Sequence, residues 1–214
     1  MDTATTISGS GKCCSTAGRS KTVAAVATIV FALLPVVLLL GCSASKSNLL
    51  AVPHLQQAPN MCVPTATAMV LRYYGDNRTP EYLKSLTPKW ENSPGTYYCD
   101  MIDALKTLGY HWRQQQYPPT FAGFEQGMND IIESLTEHRP VLIGITSPPY
   151  GHTMVVIGCD DSTGLVTLLD PNYRSPGKRR VSYNNLERAW HDDYPSKGRW
   201  ILLTWPKADS VKRD

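Results

Sequence analysis

The sequence offers one set of residues able to do covalent chemistry: a cysteine at a helix start, with an imidazole and a carboxylate supplied from later strands. Cys62, Ala66, Met69, Val70 and Tyr73 recur at helical spacing. Asn60 serves as a candidate cap, Pro64 is tolerated in a first turn, and Gly75 stops the helix. Cys62 therefore sits where free backbone N–H groups and the helix dipole favour a thiolate. A thiolate becomes a nucleophile when an imidazole lies beside it, and the imidazole needs a partner to fix its tautomer. The turn 160–164 joins two apolar runs, and a five-residue hairpin loop there pairs Cys159 with Leu165. The same register sets His152 opposite Asn172 and turns Asp170 to the same face. A carbonyl attacked by sulfur also needs oxyanion donors. The side-chain amide of Gln56 or Gln57, five or six residues upstream, and the Cys62 N–H are available.

The elements that must position these groups follow from periodicity. After the helix at 62–74, Thr79-Pro80 opens a short helix that ends before Pro88. Further helices are read at 97–108 and 124–138. Beyond Pro140 the character changes to short runs rich in Val, Ile and Leu at 141–145, 153–159, 166–170, 179–183 and 200–205. A last helix at 184–191 interrupts them. The middle strands are apolar almost throughout, which calls for cover on both sheet faces. Helices first and strands after give an α+β domain, with N-terminal helices packed on a mainly antiparallel C-terminal sheet.

Composition narrows the function. Of 21 basic and 18 acidic residues, Lys12, Arg19, Lys21 and Asp2 precede Cys42, which leaves a net of +1 after it. A nucleic-acid partner needs a clustered basic excess, so none is expected. The cluster Lys178, Arg179, Arg180 with Arg174 nearby reads as a solvated turn and strand start. There is no CxxC and no HExxH, so neither metal nor cofactor is expected. His54, His111 and His138 read as surface or loop residues, and His191-Asp192-Asp193 as a solvated turn after a helix. The five Trp read chiefly as core, with Trp90 or Trp112 able to line a cleft.

Residues 23–41 are apolar apart from Thr28, follow Arg19 and Lys21, and end in Leu39-Leu40-Gly41-Cys42. A basic flank and an apolar stretch describe a secretory signal, and the last four residues resemble the lipobox of bacterial lipoproteins. That resemblance implies a signal peptide over 1–41 and an acylated Cys42 holding the exported chain to a membrane of the cell envelope, on its periplasmic or outer face. Residues 42–50 form the lipidated Cys and tether. With Cys13 and Cys14 removed and Cys42 acylated, Cys62, Cys99 and Cys159 remain. An odd number in an oxidising compartment leaves one free thiol, and Cys99 and Cys159 read as packing or a disulfide.

The segments Val52-Pro53-His54-Leu55-Gln56-Gln57, Cys62 to Gly75, Gly151 to Gly158 and Leu169-Asp170-Pro171 carry a second resemblance. They look like the nucleophile, His and Asp segments of papain-like cysteine peptidases, closest to the bacteriocin-processing, double-glycine-leader branch. The similarity covers about 52–205, with the segments in the family's order. It implies a papain-like domain over 51–206 and a polar tail over 207–214. By position it implies Cys62 as nucleophile, His152 as base and acid, and Asp170 as orienting carboxylate, with Asn172 the alternative third member. Gln57 is the implied oxyanion donor by its distance from Val52-Pro53, with Gln56 fitting the six-residue offset to Cys62. Val63 stands where the family has Gly, and no transporter segment follows.

The expectation is an exported, lipid-anchored, monomeric peptidase acting on a peptide or protein. Transfer of the acyl group to an amine on the same triad, or a non-catalytic peptide-binding module, are the rivals.

Overall fold

Polar caps start three of the helices. In the computed structural model, which describes residues 49–89, 91, 94–147, 150–191 and 198–207, α1 spans Cys62–Tyr73, α2 Pro80–Ser85 and α3 Tyr98–Thr107. After β1 (Arg113–Tyr117) and α4 (Phe121–Thr136) come β2 (Val141–Ser147), β3 (Tyr150–Asp160), β4 (Leu165–Leu169) and β5 (Lys178–Ser182). The chain continues through α5 (Tyr183–Ala189) to β6 (Arg199–Leu203). The side-chain oxygens of Thr79, Thr120 and Ser182 accept from the backbone N–H groups of Tyr82, Gly123 and Asn185 at the starts of α2, α4 and α5. The signal segment, the lipobox with Cys42, the tether up to residue 48, Trp90, Asp192, Asp193 and the tail from 208 lie outside the described residues.

All six strands form one antiparallel sheet in the order β1-β6-β2-β3-β4-β5. Successive residues Val155, Val156 and Ile157 of β3 are each fully buried, as are Leu168 and Leu169 of β4. Neighbouring residues in a strand point to opposite faces, so both faces are covered here, as the apolar runs require. Both α1 and α4 pack on β3.

The sequence expectation needs correction in several places. α1 is the buried helix that its spacing predicts, every residue from Val63 to Leu71 being buried, Thr65 and Thr67 included, so the departures lie elsewhere. β1, sequence Arg-Gln-Gln-Gln-Tyr, is a strand that the apolar pattern does not predict, and it breaks the order of helices first and strands after. It lies at the sheet edge, paired only with β6 within the sheet, and a strand with one neighbour tolerates polar residues.

α4 begins at Phe121, three residues earlier than expected. Its first turns hold Gly123 and Gly127, which depress helix propensity. Both are there for close approach: a Cβ on Gly123 would collide with the Pro118 carbonyl, and one on Gly127 with the rings of Trp190 and Tyr117. Finally, Cys62, Cys99 and Cys159 are all free thiols. Cys99 is exposed rather than packed, and Cys159 is half-buried against the core.

Candidate active site

The site forms where the start of α1 meets β3. Asn60, expected as a cap, instead adopts φ 62°, a left-handed turn that Asn tolerates. The helix cap is Met61, which supplies no side-chain hydrogen bond. The first N–H groups of α1 are thus not consumed by a capping side chain and remain available to an anion. The Cys62 sulfur is half-buried, and the backbone N–H groups of Val63 and Thr153 donate to it.

His152 reaches the same sulfur from β3, where it pairs with Ile145 of β2. Its Nε2 lies 2.7 Å from Oδ1 of Asp170. Asp170 follows the last residue of β4, and its side chain is 2% exposed. Each carboxylate oxygen has a partner. Oδ1 also accepts from the Asn172 N–H at 2.9 Å, and Oδ2 from Arg179 Nη1 at 3.0 Å. Asn172 thus contributes its backbone and is itself exposed, so of the two expected third members it is Asp170 that carries the imidazole.

The register that brings His152 to Asp170 differs from the expectation near the turn. The loop has four residues, not five: Asp160 pairs with Leu165 and Cys159 with Val166. Between Val156 and Gly158 the pairing shifts, and from there Val156 pairs with Leu168 and Val155 with Leu169. One extra residue in β3, Ile157, restores the offset that a five-residue loop would have set. Its carbonyl accepts the Leu50 N–H at 2.8 Å. Without the bulge, His152 would face away from Asp170.

The chain before α1 is tied to the same place. Gln57 N–H donates to the Pro171 carbonyl at 2.8 Å, and His54 Nε2 lies 2.9 Å from the Asp170 carbonyl. His54 is therefore part of the site's frame rather than a bystander. Gly177, at φ 61°, lies so near that a Cβ would run into the His54 ring, and its carbonyl accepts the Asp170 N–H at 2.9 Å. Gln57 is half-buried, and its Oε1 has no hydrogen-bond partner among the described residues, whereas Gln56 is exposed. Of the two, Gln57 is the more buried and the one whose backbone is tied to the loop after Asp170.

The electrostatics follow from this wiring. Burial alone would raise the Cys62 thiol, yet the hydrogen bond and charge of His152 outweigh it and bring the thiol below its ordinary value. Burial likewise opposes charge on His152, but the bonds to Asp170 and Cys62 push it up to about 9. Asp170 is held below the usual carboxylate range because its bonds to His152, Asn172 and Arg179 exceed the cost of burial. His152 and Asp170 thus favour their charged forms at neutral pH, and the Cys62 thiol is shifted toward its thiolate. By contrast, burial and then Asp161 push the Cys159 thiol up to about 12, so it stays protonated and unreactive.

Sequence reasoning missed Tyr98, Arg179 and His54. The Tyr98 hydroxyl, 3.0 Å from Thr153 Oγ1, is held protonated first by burial and also by Cys62. Arg179 departs from the solvated basic cluster that the sequence predicts at 178–180. Strand alternation could have separated it from Lys178 and Arg180, which are exposed, whereas Arg179 is half-buried. His191, taken for a solvated turn, is half-buried, with Nδ1 3.0 Å from Thr146 Oγ1. His111 and His138 are exposed. Trp112 is buried, its indole N–H donating to the Trp205 carbonyl at 2.8 Å.

A cysteine at a helix start, an imidazole beside it and a buried carboxylate behind are the groups that attack on a carbonyl carbon requires. Solved structures share the fold that holds these groups. The peptidase domain of Streptococcus ComA, a bi-functional ABC transporter involved in a quorum-sensing pathway, is 20% identical with a TM-score of 0.53. The match covers 71% of this chain and 96% of that one. A double-glycine-motif protease from an AMS/PCAT transporter, solved with its leader peptide, is 16% identical with a TM-score of 0.53, over 76% and 96% of the two chains. No curated protein matches the sequence. The family described as Peptidase_C39 like matches residues 49–197. By fold and by sequence, then, this chain carries a cysteine peptidase-type domain and belongs to the Peptidase_C39 like family.

Proposed function

We propose that this chain is an exported, lipid-anchored cysteine peptidase that hydrolyses peptide bonds through an acyl-enzyme on Cys62. The observation that carries this reading is His152, whose side chain acts on the Cys62 sulfur and is bonded to the buried Asp170. In the reaction, the thiolate adds to the peptide carbonyl, and the oxyanion takes hydrogen bonds from the Gln57 side chain and the Cys62 N–H. His152 gives its proton to the departing amine as the C–N bond breaks, leaving the thioester. Water then adds, His152 takes its proton, and the C–S bond breaks to release the acid and restore the thiolate. Asp170 holds the imidazole through both steps without itself taking the proton.

A single chain supplies all four groups, so the activity asks for no second copy. The leader peptide bound by the transporter protease supports a peptide as substrate class here. Anchoring at Cys42 rests on the apolar run 23–41 and the lipobox-like Leu39-Leu40-Gly41-Cys42. It would hold the domain at the periplasmic or outer face of a membrane.

The test is hydrolysis of a defined peptide library by the full chain in detergent, with cleavage read by mass spectrometry. Gln57→Ala is expected to lower kcat by about 10²–10³ with little change in KM, and Gln56→Ala to stay within about twofold. Equal effects of the two would remove Gln57 from the oxyanion role. Adding a primary amine and finding its adduct in place of the acid would establish transfer rather than hydrolysis.

A further inference from the structure

We infer that Arg179 is a positioning residue of this site, fixing the Asp170 carboxylate in the orientation that holds His152. The inference rests on the triad reading above. Its basis is the arrangement around one carboxylate. Oδ1 is occupied by His152 Nε2 and the Asn172 N–H, and Oδ2 has Arg179 Nη1 at 3.0 Å. The Asp170 side chain is 2% exposed. Removing the guanidinium would leave Oδ2 buried without that donor, and a carboxylate in that position regains the missing bond by rotating about its last torsion. Rotation breaks the alignment of Oδ1 with the imidazole.

Arg179 is itself held. It lies in β5 opposite Leu168 of β4, and its guanidinium sits 5.0 Å from the Tyr173 ring centroid. Tyr173 lies in the loop between Asp170 and β5, and its N–H donates to the Asp170 carbonyl at 3.2 Å. The loop that carries the carboxylate is thus fastened to the cation that orients it. An arginine suits this place better than a lysine because its planar group can face a carboxylate and an aromatic ring together.

Orientation and simple charge predict opposite signs. The charged and titratable groups around His152 are Cys62 from α1 and Asp170 after β4. Behind them stand Arg179 from β5, Tyr98 from α3 and His54 from the N-terminal segment. If Arg179 acted only through its field, deleting a positive charge would make the imidazolium more stable. If it acts by holding Asp170, deletion loosens the carboxylate and the imidazolium loses its proton at lower pH.

The experiment follows the rate of iodoacetamide alkylation of Cys62 against pH in the full chain in detergent, read on the Cys62 peptide. In the parent protein two inflections are expected, one for thiolate formation and a higher one for loss of the imidazolium proton. Arg179→Met should move the upper inflection down by about one pH unit, a tenfold change in the protonation equilibrium. Arg179→Lys should recover part of that shift, and Arg179→Met should add nothing in an Asp170→Asn background. An upper inflection that stays put or rises in Arg179→Met overturns the inference while leaving the triad intact. A parent protein whose Cys62 labels like an ordinary thiol removes both.

Discussion

Cys62→Ala is expected to abolish hydrolysis while leaving a folded chain that still binds its peptide. The magnitude is that of removing a covalent nucleophile, on the order of 10⁵–10⁶-fold in kcat, which in practice is background. The fold should survive. Alanine is the best helix former, and the sulfur is half-buried at the edge of the core rather than in its centre. The comparison is made by cleavage assay and by calorimetric titration of the same peptide against both proteins. A peptidase loses turnover and keeps affinity. A protein that shows binding but no turnover even with Cys62 intact would be a binding module built on this fold.

The second large effect is expected of Asp170→Asn. The native carboxylate answers three donors with two acceptor oxygens. An asparagine has one acceptor oxygen and presents an NH₂ at the other position, so it opposes donor to donor at either His152 or Arg179. A fall of about 10³–10⁴ in kcat follows, the scale known for a triad whose imidazole is misoriented.

Stability should respond to pH in a matching way. Asp170 is depressed on folding, so its contribution is present above about 3.9, the unfolded carboxylate value, and fades as pH falls through the folded value. His152 is raised to about 9 on folding. Its contribution is therefore full below the unfolded value of about 6.5 and lost as pH rises through the folded value. Urea denaturation at pH 5.5, 7.5 and 9.5 should show the largest gap between parent and Asp170→Asn at the lowest of the three. A gap that widens toward pH 9.5 would contradict the coupling of the two groups.

Much of this arrangement is legible in the residues because it follows from short-range rules. The helix at Cys62 is bounded by Pro64 in its first turn and Gly75 past its end, and the structure stops α1 at Tyr73. The buried strands announce themselves as runs of Val, Ile and Leu. What escaped depends on tertiary context. β1 has no apolar run because it is an edge strand, and α4 hid its first turns behind Gly123 and Gly127, which the Pro118 carbonyl and the rings of Tyr117 and Trp190 explain.

The His152–Asp170 alignment is instructive because two departures cancel. The hairpin loop is one residue shorter than read, and the bulge at Ile157 adds that residue back before His152 is reached. Nothing in the local pattern of Val155, Val156 and Ile157 marks a bulge, since all three positions are apolar and buried. Arg179 was lost in a similar way. In sequence it is one of three adjacent cations; strand alternation sets it apart from Lys178 and Arg180, and the pairing of β5 with β4 brings it to Asp170. Side-chain oxygens and carbonyls at 170–177 that clasp His54 and Asn172 belong to loop geometry, which periodicity does not describe.

The central claim is that Cys62 and His152 form a thiolate–imidazolium pair, and the most direct measurement is the pH dependence of iodoacetamide labelling at Cys62, with and without His152→Ala. The account predicts fast labelling well below about 8.5, the ordinary thiol value, and a shift of that profile up to the ordinary range when His152 is removed. Labelling of Cys62 that titrates like an unperturbed thiol, or a profile indifferent to His152→Ala, would contradict it.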